Sequence, residues 1–266
     1  MHNNLPKNVV PRHVMALTLC LLSGWSSGAW AIVNIEDMRI GSPRAGFSGS
    51  FSLTFDGSSG NTRKAETGLN ARLQWQQART TDFVIAAYDY AKSNDVRNTN
   101  RRFLHARHVR QFAPTRAWEA FAQAAEDEFA RLSFRRLLGG GLRFVLAEEP
   151  KRTGIYFGIG AFFAAERLAP RAGTNDAGDS TFWQGNLYLS YKHRINDSLN
   201  LASTTYYQPR LDNGADMRIL EQAALKVRMT DQLSLKLLLN LAYDSRPPEE
   251  VKRTDTSYLT ALHYQF

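Results

Sequence analysis

Four histidines beyond the first 31 residues, His105, His108, His193 and His263, could bind a metal or move a proton near neutral pH. His105 and His108 are three residues apart, which on a strand places them on opposite faces, so they make poor joint ligands. A membrane hydrolase would set such a histidine beside a serine or aspartate, and the sequence carries no local signature of that kind. Gly139-Gly140-Gly141 and the glycines of residues 154–160 resemble phosphate-loop material, but no Lys-Ser/Thr follows and no helix is signalled. Glycine in a strand more often marks a bend or a close backbone approach. Glu126-Asp127-Glu128 and Glu249-Glu250 lack the spacing of a calcium loop and read as solvated turn residues. No catalytic set, resident metal or cofactor is expected.

The remaining chemistry is charge. The 266-residue chain holds 33 Lys+Arg against 25 Asp+Glu, a net +8. Such a surplus suits nucleic acid, anionic lipid or anionic solutes alike. The first residues choose among them. Lys7, Arg12 and His13 precede the short apolar run Val14–Leu22, and Ala29-Trp30-Ala31 supplies a small-x-small cleavage pattern. Residues 1–31 therefore read as a cleaved signal peptide, with Ile32 as the mature N-terminus and residues 32–44 as a short periplasmic segment. Export makes a nucleic-acid partner remote. The single cysteine, Cys20, falls inside the leader, so the mature chain is expected to hold neither a disulfide nor a thiolate ligand.

The elements that carry the charges alternate in polarity. Leu69, Ala71, Leu73 and Trp75 face away from Asn70, Arg72, Gln74 and Gln76. Leu233 to Tyr243 at odd positions opposes Ser234, Lys236, Leu238, Asn240, Ala242 and Asp244. Trp183, Leu187, Leu189 and Tyr191 oppose Gln184, Asn186, Tyr188 and Lys192. Period two marks strands, and its repetition with no helix to cover the apolar face marks a transmembrane barrel. About twelve such segments start near Gly46, Glu66, Asp82, Asn100, Arg116, Leu132, Thr153, Ser180, Ser198, Asp216, Asp231 and Thr254. Tight connections alternate with longer polar ones at Asp56–Arg63, Lys92–Asn98, Glu166–Asp179, Pro209–Ala215 and Asp244–Arg253. The expected fold is all-β: an antiparallel up-and-down barrel over residues 45–266, with both termini periplasmic. Two segments read against it. Ala117–Leu132 has helix-forming composition, and Asn100–Phe112 puts arginines on both faces.

The faces so assigned aim Arg72, Arg135, Arg143, Lys192, Arg218, Lys226, Arg228 and Lys236 inward, together with Asp89, Glu119, Glu166, Asp244 and Asp255. Eight strands give a filled barrel and sixteen a water channel, so twelve falls between. These charges either rigidify a narrow interior or ring a pore that favours anions. The last segment sets Tyr258, Thr260, Leu262, Tyr264 and Phe266 on one face. A terminal aromatic after alternating apolar residues is the expected signal for the outer-membrane assembly machinery.

Val33-Asn34-Ile35-Glu36-Asp37-Met38-Arg39, Ser59-Gly60-Asn61-Thr62, Arg135-Arg136-Leu137-Leu138-Gly139-Gly140-Gly141-Leu142-Arg143, Tyr206-Tyr207-Gln208-Pro209, Asp216-Met217-Arg218, Asp244-Ser245-Arg246-Pro247-Pro248 and Tyr264-Gln265-Phe266 follow one another in an order that resembles the YdiY-like family. Its members are labelled salt-induced outer-membrane proteins and grouped as a domain of unknown function. The resemblance spans the mature chain and implies a Gram-negative outer-membrane barrel without an assigned activity or catalytic set. The functional expectations are a narrow, weakly anion-preferring channel or an envelope protein tied to salt or osmotic stress. A filled barrel binding a lipid or protein partner, and a lipid hydrolase, are the alternatives. Outer-membrane lipids and lipopolysaccharide are the expected surroundings; the oligomeric state is open.

Overall fold

A computed structural model describes residues 45–58, 64–150 and 152–265. The signal peptide, the segment 32–44 and Phe266 lie outside the described residues. Twelve strands follow in chain order: β1 (Gly46–Ser58), β2 (Lys64–Gln76), β3 (Thr80–Ser93), β4 (Val96–Ala113), β5 (Arg116–Asp127), β6 (Leu132–Glu149), β7 (Thr153–Leu168), β8 (Gly178–Arg194), β9 (Leu199–Pro209), β10 (Met217–Arg228), β11 (Leu233–Asp244) and β12 (Thr254–Gln265). Each pairs antiparallel with its chain neighbours, and β1 closes on β12. The closing pair is short, with four registered partners from Ser50↔Gln265 to Leu53↔Leu262.

Alternation decides which way each side chain points. Leu138 on β6 is 67% exposed, whereas Phe162, across the β6–β7 ladder from the next residue Gly139, is 0% exposed. Phe51, Leu73, Leu104, Leu189, Leu239 and Leu262 are exposed on the same outer surface. Trp75 and Trp118 lie near the end that carries both described chain ends, and Trp183 and Tyr258 near the other. A closed sheet with an apolar exterior and aromatic edges spans a membrane, because the ladders pair its backbone groups strand to strand and lipid receives the outer face.

Both doubtful segments are strands. In β5, Ala117, Glu119, Phe121, Gln123 and Ala125 are buried inside, while Trp118, Ala120 and Ala122 face out. Pairing on both sides overrides the helical preference of Ala and Glu. In β4, Phe103, His105, Arg107 and Val109 are inside, and Arg102, Leu104, Ala106 and Arg110 outside. One connection differs from expectation. The proposed loop Lys92–Asn98 is a two-residue turn at Asn94 and Asp95, with φ of 49° and 62°. Both residue types tolerate the left-handed region that a tight hairpin turn needs, so the strands run almost to the turn.

Candidate functional site

The interior is filled unequally around its circumference. From β3 to β10 inward side chains are packed: Ile85, His105, Phe162, Tyr206, Thr204 and Ser190 have almost no contact with water. Phe121, Leu137, Phe162, Phe182, Tyr188, Tyr206 and Leu220 form one apolar cluster inside the barrel. Glycines in the wall make room for it. A Cβ at Gly158 would lie 2.0 Å from the Tyr188 ring, and one at Gly139 2.5 Å from the Cβ of Phe162. The bare wall thus lets aromatic side chains lie across the interior, and the expectation of close approach rather than a phosphate loop holds.

Two polar networks brace this packed flank. In the first, Arg143 Nη1 donates to Tyr188 OH at 3.0 Å and Tyr188 OH donates to Glu119 at 2.9 Å. Arg107 Nη1 donates to the same carboxylate oxygen at 3.2 Å, completing a strut from β4 to β8. The second lies nearer the long loops. Arg218 donates to Glu166 at 2.7 and 3.3 Å and to Asp244 at 2.8 Å. Arg135 Nε pairs with Glu166 at 2.9 Å. Charges taken out of water persist only when partnered in this way. His105 is enclosed by the rings of Phe83, Phe103 and Phe121, each centroid about 6 Å away.

The other flank is different. On β1 and β2 every described inward side chain except Arg72 keeps partial contact with water: Ser48, Ser50, Ser52, Thr54, Glu66, Asn70, Gln74 and Gln76 are all intermediate in burial. These are mostly short polar groups, so space is left beside them. Cations border it. Arg72 lies over the Phe83 ring at 4.4 Å and donates to Gln74. Lys226 Nζ donates to Gln265 at 3.3 Å, and Gln265 pairs with Ser50 of β1. Lys236 sits directly opposite Lys226. His263 bonds Ser52 Oγ through Nδ1 at 2.9 Å.

The expected inward charges therefore divide by place. Arg143 and Glu119 belong to the first strut, Arg135, Arg218 and Asp244 to the second, and Arg72, Lys226 and Lys236 to the open flank. Lys192 is half-buried with its ammonium 5.3 Å from the Tyr156 ring. Arg228 has inward parity but is exposed at the strand end, where its backbone N–H bonds Ser198. Of the terminal-strand residues, Tyr258 and Leu262 are exposed outward and Tyr264 lies tilted against Phe51, 5.4 Å between centroids. Asp127, read as a solvated turn residue, is buried and accepts the N–H groups of Phe129 and Ala130. His108 faces outward from His105, as its spacing implies, and pairs with Asp82 at 2.5 Å.

Sequence reading missed Arg107, which alternation along β4 could have found, and Arg131, which it could not. Arg131 has φ 58° in the β5–β6 turn. Its guanidinium donates to Ala169 O, Glu249 O and Thr174 Oγ1 and pairs with Asp176 at 2.5 Å. Asp176 in turn accepts the Glu249 N–H at 2.6 Å. Three loops are strapped together by one residue. Beneath them is a cavity of about 250 Å³ floored by Arg135, Glu166, Phe182 and Arg218. Among the described residues no group of three or more His, Cys, Asp or Glu is placed to hold a metal ion.

A family model described as "Protein of unknown function, DUF481" matches residues 51–266. No curated protein matches the sequence. Among solved structures, the chain is similar to the translocator domain of the autotransporter NalP from Neisseria meningitidis, at 12% identity and TM-score 0.47, covering 87% of this chain and 92% of that one. It is also similar to a KdgM porin, at 11% identity and TM-score 0.45, covering 83% and 99%. A NanC porin gives 12% identity and TM-score 0.45, covering 82% and 96%.

Proposed function

Because this chain belongs to the DUF481 family of proteins of unknown function, we propose from its own geometry that it is an outer-membrane barrel with a narrow, off-centre polar passage that prefers small anions. The observation that carries this reading is the unequal filling of the interior. One flank is packed with aromatic side chains and ionic struts, whereas short polar residues of β1 and β2 keep contact with water. Arg72, Lys226 and Lys236 border the open flank, toward the end that holds both described chain ends; Glu66, Asp89 and Asp255 lie near the loop ends of their strands. A constriction lined by fixed positive charge lowers the barrier to anions and raises it to cations. Lipid around the belt, with the loops outside and both termini in the periplasm, is the arrangement this role requires.

Purified protein in planar bilayers tests the reading. Small, discrete conductance steps with an anion-selective reversal potential are expected. A silent bilayer would favour the second reading, a wholly filled structural barrel, which the two buried struts support. Lipid hydrolysis has weaker grounds: the outward His108–Asp82 pair is a dyad of the right type, but the facing positions of β3 to β5 supply no serine. The link to salt or osmotic stress implied by family resemblance is a proposal about when the barrel is made, tested by growth of a deletion strain in high salt.

A further inference from the structure

The cavity under the strapped loops is lined by six Lys and Arg and five Asp and Glu, and three of the cations sit together on one connection. On its floor Arg135 and Arg218 are taken up by Glu166 and Asp244. On its wall Arg210 pairs with Asp212 at 2.6 Å and with Asp216 at 3.5 Å. Asp176 is held from outside the lining by Arg131. Arg246, Lys252 and Arg253 stand together on the β11–β12 connection, and Asp255 follows them on β12. Three exposed cationic side chains thus line the space on that side. The loops partly cover the space, and about 250 Å³ lies below the range of drug-sized pockets, enough for a small solute.

We infer that this vestibule is a binding site for a small soluble oxyanion, a phosphate ester or carboxylate of sugar size, gripped by Arg246, Lys252 and Arg253. Arginine forks match the planar oxygens of such groups, and lysine adds a point charge. The floor acids do not repel the anion strongly because their oxygens are already held by arginines. The site stands on the vestibule's own charge distribution and does not need ions to pass through.

Calorimetric titration of the detergent-folded protein with glucose 6-phosphate, gluconate and glucose tests the inference. Saturable binding of the two anions and none of glucose is expected. The combined variant Arg246→Gln, Lys252→Gln, Arg253→Gln should weaken binding about ten-fold or more, near 1.4 kcal/mol. These three side chains are exposed, so the variant should fold; its unchanged heat-modifiable migration on a gel would establish that. Failure of both anions to bind, equal binding by the folded variant, or binding only of lipopolysaccharide micelles would overturn the inference. Binding is read without current, so a barrel that binds but stays silent in bilayers would sink the passage alone.

Discussion

Lys226 and Lys236 stand directly opposite one another on β10 and β11, both on the inward face of the barrel. Like charges facing each other across a ladder destabilise a sheet. Across β11–β12 Lys236 faces Ala261, and across β9–β10 Lys226 faces Asn200. On the packed flank Arg107, Arg135 and Arg218 each meet a carboxylate. The pair thus concentrates positive charge on the inward face beside β12.

Reversing that charge should reverse selectivity. Lys226→Glu with Lys236→Glu is expected to turn an anion-preferring reversal potential into a cation-preferring one, at similar unitary current. Reversal potentials under a KCl gradient measure it; a selectivity unmoved by two such reversals would detach these lysines from any ion route.

The buried strut should matter far more than surface pairs. Glu119→Ala takes the carboxylate away from the buried Arg107 guanidinium and the Tyr188 hydroxyl, at a cost of about 3–5 kcal/mol. Asp179→Ala removes an ion pair whose partners are both about two-thirds exposed, and such pairs contribute about 0–1 kcal/mol. Urea unfolding in lipid vesicles distinguishes the two; comparable losses would contradict the strut.

Glycine at 158 should be irreplaceable while glycine at 185 is not. A Cβ at Gly158 meets the Tyr188 ring at 2.0 Å, and one at Gly185 meets Pro209 at an ordinary 3.5 Å. Gly158→Val is expected to cost about 1–3 kcal/mol through overpacking, and Gly185→Ala close to nothing. Thermal unfolding of both variants checks the difference.

The loop strap should survive mild acid. The Arg131 guanidinium and the Glu249 N–H hold the Asp176 carboxyl below the usual aspartate range. A depressed carboxylate contributes stability that is complete above its unfolded value and fades as pH falls through its folded one. Loop proteolysis should therefore stay constant from pH 7 to about 4 and rise only below that; a rise near pH 6 would point to another group.

Most of the scaffold was legible because period two is written locally. Strand count, closure and inward faces follow from residues such as Leu73 and Trp75 opposing Arg72 and Gln74. Arg101, Arg102, Arg107 and Arg110 hid the β4 pattern, since arginine suits the interior when paired and the membrane edge when not. The site was less readable. Which of the inward cations is neutralised depends on contacts between strands far apart in sequence, such as Arg218 with Glu166. Arg131 acts through a left-handed backbone position that no periodicity marks.

One labelling experiment reaches the unequal filling most directly. The whole chain has one cysteine, Cys20, in the expected leader, so a single introduced thiol can be followed alone. Asn70→Cys faces the open flank of β2, and Thr204→Cys is buried at 0% exposure on β9. In vesicles a water-soluble thiol reagent should modify the first within minutes and spare the second. Equal reaction at both positions, or none at either, would contradict an interior packed on one side and wet on the other.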